Sequence, residues 1–317
     1  MLKHCCMTNN SKIIAECYKQ FDIKNTSLST ARLPHSIRVF KKHILTKEEN
    51  NTLTNAGLTG GTMCHDIVQE CLTKNTPLDD VIKSEYIQTK IAEFTPIHEK
   101  DKMKFKFIVK FLKPICQNHL DNIKELLHLN QMDKLEKQVW KDEVELTAWT
   151  PPVKIYWKMF LDLVSQVYFG DLKNKFGSAS YKPLKNKKAP INENRIGDWV
   201  YSKPKMDDKI YFSDLMQIAL YHHAIGLKPF LSYASHDGRK LFTEDNCEDL
   251  KPENLKKWLK QLMVYEISWQ KKLEAANGDL KELCWLSPPD YSDIKKNSFW
   301  WDGVPKEYIE RYLKYYD

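Results

Sequence analysis

Asp162, Asp171 and Lys173 are the residues of this chain whose types and spacing point most clearly to chemistry. Carboxylate oxygens are the ligands that Mg²⁺ prefers in proteins. A metal ion held in this way stabilises charge on a phosphate and acidifies a water molecule. A lysine beside it orients that water and stabilises the negative charge that develops. An aspartate followed by a D-x-K triplet therefore predicts the hydrolysis of a phosphodiester bond.

The same residues also have a simpler interpretation, which is a surface hairpin with an ordinary ion pair between Asp171 and Lys173. A D-x-K triplet by itself is very common and carries almost no information. What favours the chemical interpretation is the apolar segment before the triplet, in which Asp162 stands between two leucines.

Two strands joined by a tight turn are the elements expected to position these side chains. The surrounding segment is rich in aromatic and β-branched residues, which is typical of strands. We expect the turn at Ser165 and Gln166, so that Asp162 faces Phe169. Asp171 then becomes a diagonal cross-strand neighbour of Asp162, roughly 7–8 Å away at the backbone. Both carboxylates could reach one cation from these positions.

Two further patterns lie on predicted helices on either side of the hairpin. Gly61 and His65 form a G-x-x-x-H pattern at the expected start of one helix. Gln217 and Tyr221 form a Q-x-x-x-Y pattern on a later helix, and their spacing puts both on one helical face. Taken alone, a histidine such as His65 is more often a core or surface residue whose ring nitrogens have hydrogen-bond partners. Gln217 and Tyr221 are more often residues on a helix surface that pack on a neighbouring element.

The order of these elements resembles the RecB-like branch of the PD-(D/E)XK nuclease superfamily, over roughly residues 57–233. This branch includes the RecB and AddB nuclease domains, phage exonucleases and the mitochondrial genome maintenance exonuclease. The resemblance implies a restriction-endonuclease-like core of the α/β class. Its central mixed β-sheet would be flanked by helices, with helical N- and C-terminal extensions. The implied activity is that of a Mg²⁺- or Mn²⁺-dependent DNA exonuclease that acts on single-stranded ends in replication, recombination or repair.

The resemblance also implies a role for each matching residue. His65, Asp162 and Asp171 would ligate the metal together with the carbonyl of Leu172. Lys173 would be the catalytic lysine. Contacts to the DNA backbone, or ordering of the site, would fall to Gln217 and Tyr221. An upstream strand glutamate often joins such a site, and the sequence leaves open the choice between Glu143 and Glu145.

A second segment also looks like the strand motif of the family. In it Asp198 is followed by Val200 at the position where the lysine should stand. If this were the true strand, the protein would be a damaged nuclease. We favour Asp171 and Lys173, because that motif is complete and a tight hairpin joins it to Asp162.

Basic residues are concentrated directly after the favoured motif. Between Leu172 and Lys205 there are nine lysines and arginines, opposed only by Glu193 and Asp198, in a chain of formal net charge +7. A solvated, flexible loop is the ordinary interpretation of such a run. Its position beside the motif favours a loop that follows DNA phosphates. The predicted DNA-binding lysines are Lys185, Lys187 and Lys188.

Apolar periodicity predicts helices over about 62–72, 105–129, 214–226 and 255–269. Strands are expected at about 139–149, within 155–173 and at 230–234. This order predicts an N-terminal helical extension over residues 1–57 and a nuclease core over 58–246. The core would contain a basic insertion at about 174–210, and a C-terminal helical segment would occupy 247–317.

The composition of the chain argues against membrane-spanning, secreted and iron–sulfur proteins. No apolar run reaches the roughly 18 residues that a membrane span requires, and the first residues lack the pattern of a secretory signal. We expect a cytoplasmic protein; a phage-encoded chain would act in the cytoplasm of its host. The eight cysteines form no C-x-x-C pair, which predicts that there is no iron–sulfur cluster. A nucleotide-binding P-loop is missing, so a separate helicase, polymerase or recombination protein is the expected partner.

Two other classes of function remain open. One is a non-catalytic nucleic-acid-binding protein that retains the nuclease fold. The other is a structural or interaction protein in which the motif residues are coincidental. The complete set of Asp162, Asp171 and Lys173 favours an enzyme over both.

Overall fold

The computed structural model describes residues 13–52, 55–129, 141–150, 153–183, 193–206, 208–296 and 300–316. Within these ranges the chain is an α/β protein whose mixed central β-sheet is flanked by helices, as the sequence predicted. None of the helices in the described ranges is long and apolar enough to cross a membrane.

The helices and strands follow one another along the whole described chain. The helices are α1 (Glu16–Gln20), α2 (Leu28–Ala31), α3 (His35–Val39), α4 (Lys47–Thr52), α5 (Ala56–Thr73), α6 (Leu78–Lys83), α7 (Glu85–Glu93), α8 (Glu99–Lys110), α9 (Leu112–Leu129), α10 (Phe212–Ile225), α11 (Pro252–Ala276), α12 (Leu280–Trp285), α13 (Tyr291–Lys295) and α14 (Lys306–Leu313). The strands are β1 (Asn25–Thr26), β2 (Lys141–Trp149), β3 (Tyr156–Val164), β4 (Tyr168–Asn174), β5 (Ser178–Tyr181), β6 (Arg195–Ile196), β7 (Trp199–Ser202), β8 (Lys228–Ala234) and β9 (Arg239–Thr243).

Six of the described strands form the central sheet, in the order β1-β3-β4-β8-β9 with β2 paired to β3. The β3–β4 and β8–β9 pairs are antiparallel hairpins, whereas β4 and β8 are parallel. A parallel pair needs a crossover connection, and here that connection contains α10. The helix that carries Gln217 and Tyr221 is therefore tied to the strand that carries Asp171 and Lys173.

Apolar side chains pack on both faces of the sheet. On one face, Phe169 and Leu231 pack in a core cluster with residues of α10 and α11. On the other face, Leu172 and Phe230 pack in a second cluster with residues of α5, α8 and α9. Because side chains alternate along a strand, Asp171 lies on the same side of β4 as Phe169, which is the side of α10.

Gly170 allows β4 and β8 to pair closely at the site. Phe230, its partner on β8, places its ring directly over Gly170. A Cβ built at Gly170 would lie 2.0 Å from the Phe230 ring, so the ring or the strands would have to shift. The glycine next to Asp171 is therefore a packing requirement of the sheet.

Helix α5 begins earlier than expected. The sequence predicted a helix from about Thr62, but the helix begins at Ala56, with Asn55 as its N-cap. Asn55 accepts a hydrogen bond from the backbone N–H of Leu58, which satisfies one free donor of the first turn. The low helix propensity of Gly60 is offset because its missing side chain makes room for Ile108 of α8. The G-x-x-x-H pattern thus lies inside the helix.

The interpretation of the basic insertion as a loop was wrong for its described part. Strands β5, β7 and β6 form a separate three-stranded antiparallel sheet there. Ala179 and Tyr201 are buried on one face, and the Tyr201 ring lies 5.1 Å from that of Phe107 on α8. The many lysines of this segment suggested a loop, and its strands are too short for their alternation of buried and exposed residues to be recognised in the sequence.

The three predicted segments share one core cluster. Tyr18, Leu231 and Trp269 belong to it, although they come from the N-terminal, central and C-terminal segments. The boundaries at residues 57 and 246 stay a prediction.

Candidate functional site

Asp162 and Asp171 lie next to the last residue pair of the β3–β4 hairpin, so its register, if continued by one residue, puts them opposite each other. The observed register pairs Val164 with Phe169 and Leu163 with Gly170. The expected register, in which Asp162 faced Phe169, was therefore wrong by two residues. The turn is longer than expected because Ser165 closes it, accepting a hydrogen bond at Oγ from the backbone N–H of Tyr168 at 2.9 Å. A shift of two keeps the alternation, so the aspartates are closer neighbours than predicted.

The carboxyl groups of these two aspartates interact. Oδ2 of Asp162 accepts the backbone N–H of Leu172, the residue next to Asp171, at 2.8 Å. Burial raises the pKa of Asp171 to about 8, and the Asp162 charge adds to the rise while Lys173 opposes it. Two adjacent carboxylates cannot both be ionised at low cost unless a proton or a cation lies between them.

His65 on α5 approaches the same point from the opposite face of the sheet. Its Nε2 lies 2.7 Å from the Leu172 carbonyl oxygen, which can only accept, so Nε2 carries the proton. Its Nδ1 lies 3.5 Å from Oδ1 of Asp162. Burial lowers the pKa of His65, which favours a neutral imidazole. One turn later, Gln69 donates to the Asp162 carbonyl at 2.8 Å and fixes the distance between α5 and β3.

Lys173 extends from β4 toward α10. Its ammonium forms an ion pair with Oδ2 of Asp171 and donates a hydrogen bond to Oε1 of Gln217 at 2.9 Å. Asp214, one turn before Gln217, lies 3.9 Å from the ammonium. Burial acts to lower the pKa of Lys173, but the neighbouring aspartates outweigh it and raise the pKa. The side chain is therefore a fixed cation beside the two carboxyl groups.

Gln217 and Tyr221 form a hydrogen-bonded chain along one face of α10. Gln217 Nε2 donates to Oδ1 of Asp171 at 3.2 Å and lies 2.7 Å from the Tyr221 hydroxyl. That hydroxyl donates to the Phe160 carbonyl at 2.7 Å. The two residues therefore connect β3, β4 and α10, and their side chains hold Asp171 and Lys173 in place.

The oxygen and nitrogen donors around Asp162 are of types that bind divalent cations. Two carboxyl groups, a backbone carbonyl and a neutral imidazole are brought together, which is a chemistry that Mg²⁺ or Mn²⁺ accepts. Among the residues that the structure describes, no group of three or more His, Cys, Asp or Glu side chains has the arrangement of a formed metal site. The types of donor fit the metal, and their present spacing is that of a hydrogen-bonded cluster.

The structure describes some of the other predicted site residues only in part, and others not at all. Lys185, Lys187 and Lys188 lie outside the described residues. Glu143 and Glu145 lie on β2, where Glu145 is paired with Phe160 and Glu143 lies between the residues paired with Leu161 and Leu163. By register, Glu143 is opposite Asp162. Their side chains are not described, so the choice between them stays open.

The competing segment lies in another sheet. Asp198 is in the turn between β6 and β7 of the three-stranded sheet, whereas Asp171 is in the central sheet opposite Asp162. Only Asp171 is therefore paired with a second aspartate across a hairpin.

Sequence analysis missed three residues that reach the site. Asp214 was detectable, because a spacing of three places it on the Gln217 face of α10. Gln69 is likewise one turn from His65 on α5. Arg32 gave no such signal; burial lowers the pKa of its guanidinium, and the charges of Asp214 and Asp171 act in the opposite direction.

No family model, curated protein or solved structure matches the chain. Membership of the PD-(D/E)XK superfamily accordingly stays a prediction that depends on the residues described above.

Proposed function

We propose that the protein is a metal-dependent DNA exonuclease of the RecB-like PD-(D/E)XK branch, with a restriction-endonuclease-like core, that hydrolyses single-stranded DNA ends. The observation that carries the proposal is the β3–β4 hairpin, which brings Asp162 beside the backbone of Leu172 while Lys173 forms an ion pair with Asp171. Burying two acids and a cation together costs stability. Such clusters of perturbed ionisable groups are concentrated at functional sites, which supports a catalytic role.

Under this proposal, Asp162, Asp171, the Leu172 carbonyl and His65 would hold Mg²⁺ or Mn²⁺. When bound, such an ion stabilises charge on a phosphate and lowers the pKa of a water molecule. His65 would bind through a neutral nitrogen, which its lowered pKa makes available.

Lys173 would act as a cation and not as a proton acceptor. The aspartates raise its pKa, so it is protonated at neutral pH. In this form it donates hydrogen bonds to the attacking water or to the phosphate oxygen that gains charge. Gln217 accepts from the Lys173 ammonium and donates to Asp171, and so it positions both groups.

The test is cleavage of an end-labelled single-stranded oligonucleotide in the presence of Mg²⁺ or Mn²⁺ and in a chelator. Asp162→Asn and Asp171→Asn should each abolish metal-dependent cleavage, because each removes a charged oxygen donor while keeping the side-chain shape. Asp121→Asn is the matched control, since Asp121 is a partly exposed aspartate on α9 bonded only to neighbouring residues of its own helix.

Near-normal cleavage by either site variant would contradict the proposal. Specific DNA binding without cleavage in any metal would favour the alternative, a non-catalytic nucleic-acid-binding protein. Comparing labels at either end, and single strands with duplexes, would define the polarity and the strand preference.

A further inference from the structure

Two cavities share wall residues from the N-terminal helices and α11, and one of the two also borders α10. One has a volume of about 500 Å³, and its wall includes Arg32, Phe212, Tyr265 and Trp300. The other has a volume of about 510 Å³ and shares Arg32 and Tyr265 with the first. Because they share these wall residues, the two cavities are neighbours, and we call them together the aromatic groove.

Aromatic rings line this groove with part of their surface in solvent. Phe212 is 42% exposed and Tyr265 is 37% exposed, which is unusual for large rings that lie next to each other. Their centroids are 6.5 Å apart and the ring planes meet at 68°. Such rings are not needed to fill the core, but their free faces can stack on flat ligands.

Arg32 gives the groove a positive charge. Its Nε is buried and has no hydrogen-bond partner among the described residues. Burial lowers the pKa of the guanidinium, whereas Asp214 and Asp171 act in the opposite direction. A partly buried guanidinium with an unused donor is suited to an anionic ligand, and phosphate matches its planar geometry.

Helix α10 connects the groove to the candidate site. Its first turn contributes Phe212 and Ser213 to the groove wall. The next residue, Asp214, and Gln217 one turn later face Lys173. Arg32 lines the same cavity as Phe212 and Ser213 of this helix. A chain of alternating flat and anionic groups could therefore run from the groove to the carboxyl groups.

Single-stranded DNA is such a chain, since each nucleotide offers a base with an aromatic face and a phosphate. In duplex DNA the bases are already stacked on each other and cannot lie on protein rings. Building on the proposed function, we propose that the aromatic groove binds the single strand next to the scissile phosphate. Phe212 and Tyr265 stack on bases, and Arg32 binds a phosphate of the backbone.

The proposal can be tested by binding alone, with the full chain in a chelator so that no cleavage occurs. The probe is a fluorescein-labelled oligothymidylate of roughly 15 nucleotides, within the range of known single-strand site sizes. Phe212→Ala and Tyr265→Ala should each weaken binding by about 5-fold to 100-fold, the loss expected for one stacked base. Tyr265→Phe keeps the ring and should bind as the unaltered protein does.

Three controls separate stacking from general damage. Trp285→Ala removes an aromatic side chain that is 55% exposed and lies outside the groove, and it should leave binding unchanged. An oligonucleotide of the same length without bases should bind the unaltered protein and Phe212→Ala equally. Arg32→Gln should reduce the slope of log affinity against log salt by about 0.7, as expected when one phosphate contact on a single strand is lost.

The outcomes distinguish the two proposals. If the unaltered protein binds single-stranded DNA but Phe212→Ala and Tyr265→Ala bind as tightly as Trp285→Ala, the groove proposal is overturned and the proposed function stands. Equal losses on the normal and the base-free oligonucleotide would also overturn stacking. If the unaltered protein binds no single-stranded DNA, both proposals fail. Melting temperatures close to that of the unaltered protein show that the variants are folded.

Discussion

Lys173 is the residue that most clearly distinguishes the two candidate active-site strands, because its side chain carries an ammonium group. It contacts Asp171 and Gln217 in the central sheet, whereas Val200 offers no charge at the corresponding position after Asp198. We expect Lys173→Ala to lower the cleavage rate by roughly 10²- to 10³-fold, the usual effect of removing one group that stabilises transition-state charge. Asp198→Ala should retain the rate of the unaltered protein. Single-turnover cleavage measures both, and the reverse order would place the active strand at Asp198.

His65 provides a second residue-scale prediction, which concerns the choice of metal. Its imidazole is neutral because burial lowers its pKa, and it contacts both the Leu172 carbonyl and Asp162. Nitrogen ligands suit Mn²⁺ better than Mg²⁺. His65→Ala should therefore slow cleavage in both metals and reduce the ratio of the Mn²⁺ rate to the Mg²⁺ rate. A variant that differs only in melting temperature would mean that His65 is a packing residue.

At the scale of elements, the packing of β4 on β8 depends on Gly170. An added methyl group would lie 2.0 Å from the Phe230 ring, so the strands or the ring must move. We expect Gly170→Ala to reduce the free energy of unfolding by about 1–3 kcal/mol, the usual cost of overpacking a core. Chemical denaturation measures the change. A loss of less than about 0.5 kcal/mol, the range of ordinary surface substitutions, would show that the sheet adapts easily.

Gly61 is the matched control for this substitution. It lies inside α5, and an added Cβ would have no heavy atom within 4 Å. Gly61→Ala should therefore stabilise the protein by roughly 0.5–1 kcal/mol, because alanine favours the helix. Opposite signs at the two glycines would confirm that crowding, and not the loss of a glycine, causes the effect at Gly170.

The elements around the site were predictable to different degrees. The strands that carry Asp162 and Asp171 follow from their apolar and β-branched residues, and the structure has both. Their register does not follow from the same pattern, because a shift of two residues changes no side chain's face. The hydrogen bonds of Ser165 decide between the two registers, and such local turn chemistry is not visible in periodicity.

Long-range contacts set the limit of prediction at the scale of the whole molecule. Arg32 is 180 positions before Phe212 in the chain, and nothing in its surroundings in the sequence indicates that the two line one cavity. The proximity arises because α2 packs on α11, which in turn packs on α10. Residues on one helix, such as Asp214 and Gln217, can be grouped by spacing, but residues joined only by tertiary packing cannot.

One buried ion pair joins the two ends of the described chain. Arg38 of α3 donates to both carboxylate oxygens of Glu266 on α11, at 2.8 and 2.9 Å, and both side chains are almost fully buried. Tyr18 also donates to Glu266 at 3.0 Å, and the Arg38 guanidinium lies 4.5 Å from the centre of the Trp269 ring. The pair therefore fixes the position of the N-terminal helices, including Arg32, relative to α11.

Removing one member of this pair should affect the stability of the whole molecule. Glu266→Ala leaves the Arg38 cation buried without its carboxylate, which typically costs about 3–5 kcal/mol in the free energy of unfolding. Glu274→Ala, on an exposed part of the same helix, should change it by no more than about 0.5 kcal/mol. The double variant Arg38→Met with Glu266→Leu should recover much of the loss, because no uncompensated charge remains.

Equal unfolding midpoints for Glu266→Ala and Glu274→Ala in denaturant would contradict a structural role for the pair. A loss in Glu266→Ala that the double variant fails to recover would assign the effect to the hydrogen bonds of Tyr18 and Thr26 instead of the buried charge.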